Sequence, residues 1–192
     1  MRRRSGRSAR FASDLRGATA IEFAVLALPF VLAMLAVAEY GYVYLIDVSL
    51  DNALSAAARQ VRTGQAQTAA TTDPTTGKST PAPVTQKQFA QMVCSGFTWV
   101  NDCEGNLKVA SEVEASFGQQ TAAAPLDSSG ELRGDLPFSM GQPGDVVLVR
   151  AFYPWRMITP GLWTGVSAPM SQNRVLLAAG SIVMNEPYGS SS

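Results

Sequence analysis

The residues of this chain that can do chemistry are few and far apart. Two cysteines, Cys94 and Cys103, stand nine positions from each other, and there is no histidine. Two thiols without an imidazole make a poor zinc set. Their spacing is also too wide for a CxxC redox couple. In an oxidising compartment such a pair favours a structural disulfide. A bridge closing so short a loop would stabilise the fold by about 2–3 kcal/mol in the chain-entropy treatment. The lack of histidine removes the commonest general base and the usual triads. No glycine loop ending in Lys-Ser/Thr is present, and no Gly-x-Ser-x-Gly elbow. Trp99, Trp155 and Trp163 read as core or loop anchors rather than as a ligand groove, because indoles carry large burial areas. The sequence predicts no catalytic residue, no metal and no cofactor, and gives no basis for an enzyme.

One acid is out of place. In "RGATAIEFAVLALPF", residues 16–30, Glu22 stands inside the edge of an apolar run. An acid near the centre of a membrane helix costs on the order of 2.5–3.5 kcal/mol. Glu22 therefore needs either an interfacial position or a partner.

The surrounding sequence says what must position it. Net charge is zero, but residues 1–17 hold six arginines and one acid. The leader is therefore +5 and the remainder −5. Between Ala18 and Ile46 the only charges are Glu22 and Glu39. About 20 apolar residues span a bilayer core, so this stretch is long enough. Arginines beside an apolar span keep that end cytoplasmic, which accounts for the charge without a nucleic-acid partner. Tyr40, Tyr42 and Tyr44 suit the far interface, with Glu39 close to water. Pro29 removes one backbone hydrogen bond and would bend the helix. A cleaved secretory signal, cut after Ala38 in "AVAEY", is the rival reading. Continuous apolar and helical character through that point argues against it.

Beyond the span the pattern becomes one-sided. Ile46, Leu50, Ala53, Leu54, Ala57 and Val61 recur at three- and four-residue steps, the period of an amphipathic helix. The helix is expected to end near Gly64, a C′ glycine. Residues 64–85, rich in Thr, Ala, Gly and Pro, read as a linker. Residues 86–95 form a short amphipathic helix with Phe89, Met92 and Val93 on one face. Residues 107–117 alternate, with Lys108, Glu112 and Glu114 on a solvated face. Residues 145–154 and 174–184 are further strands, the latter with Gly180 as a bulge. The intervening stretches are loop-like. The predicted division is a basic leader over 1–17, a transmembrane and amphipathic helix over 18–63, a linker over 64–85, and a β-rich external domain over 86–192. The fold class is α+β: one long N-terminal helix, continuing outside the membrane, packed on a small antiparallel sheet.

Gly17, four residues, then Glu22 and Phe23 resemble the processing site of Flp/Tad-type prepilins. The run from Asp14 to Val61 is similar to the N-terminal region of TadE-like minor pseudopilins. "GDVVLVRAFYPWRMITPGLW" and the closing "AGSIVMNEPY" are similar to that family's β segment and end. The resemblance implies a pilin-like subunit of Flp pilus assembly. A prepilin peptidase would cut after Gly17 and leave Ala18 as the new terminus. Glu22 would pair with the α-amine of a neighbouring subunit. Implied partners are the inner membrane, the peptidase and other pilin or pseudopilin subunits. The alternative is an unprocessed single-pass protein with an external ligand-binding domain.

Overall fold

The computed structural model describes residues 15–72, 79–118, 122–158, 169–170 and 173–187. Residues 1–14 of the leader, and Trp163, lie outside them. Helix α1 (Leu15–Arg62) is followed by β1 (Ala70–Thr72), β2 (Ser79–Pro81), α2 (Gln86–Gly96) and α3 (Cys103–Asn106). Strands β3 (Lys108–Glu114), β4 (Val146–Arg156), β5 (Pro169–Met170) and β6 (Arg174–Met184) complete the order. The chain divides into two units after Tyr42, and α1 runs through the boundary. The class is α+β: a long apolar N-terminal helix, part of which packs on a small antiparallel sheet.

In the second unit the one-sided stripe of α1 is buried. Ile46, Leu50, Leu54 and Val61 are fully inaccessible, and Ala53 and Ala57 nearly so. A helix with one apolar face must cover it, and here a sheet of order β3-β4-β6-β5 does so. Strand β4 pairs with β3 from Val146↔Glu114 to Phe152↔Lys108, and with β6 from Val146↔Met184 to Arg156↔Arg174, all antiparallel. Alternation then puts Val109, Val147, Val149, Ala151, Tyr153, Val175, Leu177 and Ala179 in the core with the helix stripe. The β4–β6 register is unbroken over eleven positions, so Gly180 is no bulge. It stands opposite Arg150, where a Cβ would meet only the Arg150 Cγ, at 4.0 Å.

Helix α2 begins as its sequence dictates. Thr85 caps it: its hydroxyl accepts from the Gln88 N–H, and the Gln88 side chain accepts from the Thr85 N–H at 2.8 Å. Phe89 and Val93 enter the core, with Ala90 and Met92 packed beside them. At its end Gly96 lies over α1, where an added Cβ would sit 3.2 Å from the Ala53 Cβ. Cys94 and Cys103 form a disulfide, with Cα atoms 5.7 Å apart, that ties α2 to α3 just before β3. The bridged loop rests on Tyr153. Phe97 meets that ring edge-on at 5.4 Å, and the Tyr153 hydroxyl donates to the Asn101 carbonyl at 3.2 Å. Burial, with Asp102 nearby, pushes the Tyr153 phenol above its ordinary value, which keeps it a donor. Trp155 packs on the core, whereas Trp99 is 59% exposed and lies outside it.

Three stretches differ from their sequence patterns. Residues 64–85 are not a plain linker: they hold the β1–β2 hairpin, and Ala66 is buried. Val84 N–H donates to the Ala66 carbonyl at 2.8 Å, closing that segment on itself. The expected solvated face of β3 holds for Lys108 alone. Glu114 is 5% exposed, Val113 is 47% exposed, and Glu112 forms an ion pair with Arg150 in which both side chains are largely covered. The cover is the loop-like stretch after β3. Its Ala123 N–H donates to Glu112, and its Ala123 carbonyl accepts from Arg150 at 2.9 Å. Leu132 and Leu136 then pack with Ala110 and Phe152 in a second small core. Residue 138 bridges to Ser111 in parallel, which protects the outer edge of β3.

The disulfide yields a direct expectation. Cys94→Ser/Cys103→Ser, compared with wild type by urea unfolding in the same detergent, should lose about 2–3 kcal/mol. An unchanged midpoint would show that core packing alone holds α2 in place.

Candidate functional site

The residues singled out from sequence lie on two elements. Gly17 and Ala18 stand on helical backbone in the first turn of α1. Glu22 follows one turn later and is exposed, and Phe23 is 73% exposed. The structure therefore sets Gly17, Ala18, Glu22 and Phe23 on a continuous helix that passes through Pro29 without ending. Cys94 and Cys103 lie in the second unit as a bonded pair.

What surrounds Glu22 on α1 is apolar. Ile21, Val25, Leu26, Leu28 and Phe30 are each about two-thirds exposed or more. Large side chains this apolar are not left in water over so many turns unless something covers them. The helix from Thr19 carries an 18-residue window of mean hydropathy 2.4, none of it buried inside the structure. It is long and apolar enough to cross a membrane. Its backbone groups can bond within the helix, as hydrocarbon requires, except at Pro29, which offers the Val25 carbonyl no N–H. Glu39, expected close to water, is instead 8% exposed.

Elsewhere the chemistry is sparse. Among the described residues no group of three or more His, Cys, Asp or Glu could hold a metal ion. A cleft of about 280 Å³ opens between α2 and β3, lined by Gln86, Lys87, Ala90, Lys108, Arg133 and Leu136. Arg133 is held by Asp135 at 2.9 Å, which lowers the Asp135 carboxyl below its usual range. Nothing along that wall pairs a nucleophile with a base. Sequence reasoning missed the Glu112–Arg150 pair and the buried Asn185. Their positions on strand and turn carry no signal without knowledge of which segments meet.

With this geometry in hand the comparisons are specific and narrow. Residues 17–59 match the family model described as TadE-like protein. The match starts at Gly17 and ends two residues before Val61, the last of the buried stripe. No curated protein and no solved structure matches the chain significantly.

The exposed apolar helix has a measurable consequence. Leu28→Asp should reduce membrane insertion at an apparent cost of about 3–4 kcal/mol, the cost of Asp at a helix centre plus the loss of the Leu contribution. Glycosylation mapping of the two orientations would read it. Unchanged insertion would mean that α1 does not span the bilayer around Leu28.

Proposed function

We propose that this chain is a membrane-anchored, TadE-like minor pilin component of Flp/Tad pilus biogenesis, processed after Gly17 by a prepilin peptidase. The observation that carries the reading is the TadE-like match itself, which begins at Gly17 and covers a helix whose apolar side chains are exposed. The leader arginines hold the N-terminus in the cytoplasm of the bacterial cell and leave the second unit in the periplasm. The Cys94–Cys103 disulfide supports an oxidising location for that unit. The chain works as a structural subunit and not as an enzyme.

Processing exposes the α-amine of Ala18, four positions before Glu22, which becomes the fifth residue. In hydrocarbon neither charge is tolerated alone, whereas a paired carboxylate and ammonium offset each other and fix the register of two helices. Glu22 pairs with the amine of a neighbouring subunit, and the small residues Ala20, Ala24 and Ala27 allow the backbones to approach. The partners are the inner membrane, the peptidase and other pilin or pseudopilin subunits, with no nucleic acid.

Co-expression with a matching prepilin peptidase, followed by N-terminal sequencing, tests the cleavage. A product beginning at Ala18 is expected, and Gly17→Ala should leave the chain at full length. A chain that keeps its leader would return the protein to the class of unprocessed single-pass receptors, and a cut after Ala38 would make the segment a secretory signal. Glu22→Ala is expected to be processed normally but to fall at least about tenfold in recovery with pilus subunits, the scale of one lost buried pair. Wild-type recovery of that variant would reject the pairing role.

A further inference from the structure

The end of α1 is completed by residues from the far end of the chain. An α-helix leaves its last four carbonyls without helical donors, and buried ones must be satisfied elsewhere. All four are satisfied here. The Arg59 carbonyl accepts from the Thr63 N–H at 3.1 Å, and the Gln60 carbonyl from the Ala66 N–H at 3.0 Å. The Val61 carbonyl accepts from the Gly64 N–H at 3.1 Å, with Gly64 in the left-handed region (φ 76°), and from Gln67 Nε2 at 3.0 Å. The last one, Arg62, accepts from the Glu186 N–H at 2.8 Å. The side chains of the same two residues form an ion pair at 3.0 Å.

Glu186 is held in place by its neighbour. Asn185 is 1% exposed and directly follows β6. Its side-chain amide donates to the Met140 and Gln142 carbonyls, at 2.9 and 3.0 Å. Its backbone N–H donates to the Asp145 carbonyl, and its carbonyl accepts from the Gly144 N–H. The turn at 140–145 that receives it has Gly141 and Gly144 at positive φ, and a Cβ at Gly141 would press on Val147 at 2.9 Å. The Met140 carbonyl also accepts from Gln67 Nε2 at 3.0 Å. Three distant segments, 61–67, 140–145 and 185–186, thus meet through one carbonyl and two primary amides.

We infer that Asn185 and Glu186 form a strap that closes the C-terminal end of α1 against the 140–145 turn. The apolar stripe of α1 is covered by side chains of α2 and the sheet. Residues 63–67 meet the Arg59, Gln60 and Val61 carbonyls, but the Arg62 carbonyl, and through Met140 the side chain of Gln67, join groups that arrive only when the last strand is in place. The strap makes the fixing of that turn a late step, conditional on β6 and residues 185–186 being in place. Release of the strap frees residues 62–68 and the 140–145 turn, and leaves the β3–β4 pairing and the disulfide-linked α2 intact.

Hydrogen exchange on the full-length protein in detergent micelles tests this, with each amide followed by NMR. Asn185→Ala removes one of two donors from each of the Met140 and Gln142 carbonyls, which keep Gln67 Nε2 and the Asp145 N–H. It should speed exchange at the Gly64, Ala66, Gly144 and Glu186 amides by about tenfold, the scale of two buried hydrogen bonds lost together. The amides of Val149 and Ala151 in β4 should keep their wild-type rates. Unchanged rates at Gly64 and Ala66 would overturn the inference. An equal rise in β4, or a chain that does not fold, would also overturn it, because a strap acts locally. Arg62→Glu at the exposed ion pair supplies a milder second reading. Exchange at the Glu186 amide should rise about two- to fivefold, as for an exposed pair, and return in Arg62→Glu/Glu186→Arg. Identical rates in all three proteins count against the strap.

Discussion

One helix must satisfy two different surroundings, and the rest of the molecule follows from the point where they change. From Ile21 to Tyr42 the large apolar side chains of α1 stand exposed. From Ile46 onward the large apolar residues of α1 gather in one buried stripe, with Val48 the exception at 40% exposure. That stripe sets the composition of what covers it. Most facing positions of β4 and β6, Val147, Val149, Ala151, Val175 and Ala179, are small or β-branched residues that let a helix lie close to a pleated surface, with the larger Tyr153 and Leu177 among them. Gly96 against Ala53 repeats the same economy of volume where α2 approaches α1.

The other face of the sheet is organised around charge. Arg150 and Glu112 stand on neighbouring strands with little solvent access, and a buried pair is tolerable only when its remaining donors and acceptors are met. The backbone of Ala123 meets one of each. Arg150 also lies over the Phe152 ring at 5.3 Å. The pair thus fixes where the stretch after β3 crosses the sheet, and Leu132 and Leu136 fill the remaining surface. The apolar face determines that the sheet packs, and the charged face determines how its longest connection runs.

Periodic features were legible in the sequence because burial on one side writes itself into spacing. The stripe from Ile46 to Val61, the α2 face at Phe89 and Val93, and the strands around 146–156 and 174–184 all carried that mark. Features made by backbone or by long-range pairing did not. The β1–β2 hairpin is Thr- and Pro-rich and so reads as a linker, yet its flank at Ala66 is packed and bonded to Val84. Glu112 and Glu114 alternate as a solvated face would, and only the loop laid over Glu112 makes that reading fail. Gly180 looks like a bulge until its partner across the sheet is known to be Arg150. Of the site, the apolar helix and the cysteine pair were legible. The "NEP" segment carried a resemblance without a physical role until Asn185 and Glu186 were seen to meet the end of α1.

The change of pattern at Ile46 also constrains where acids can sit. Before it, every face of the helix is committed to apolar surroundings, so a carboxylate needs cover or a partner. Glu39 has cover, at 8% exposure. Glu22 has none on its own helix: its neighbours are Ile21, Phe23, Val25 and Leu26, all exposed. After Ile46 the uncommitted faces turn polar, and Asp51, Asn52, Ser55 and Arg59 stand exposed at no cost. Among the described residues nothing covers Glu22, so its compensation would come from solvation by headgroups and the leader arginines or from a second molecule. The two differ in directionality. Headgroups would accept an acid on any face of that turn, whereas a partner helix needs it on one face only, so moving the carboxylate to a neighbouring position separates solvation from recognition.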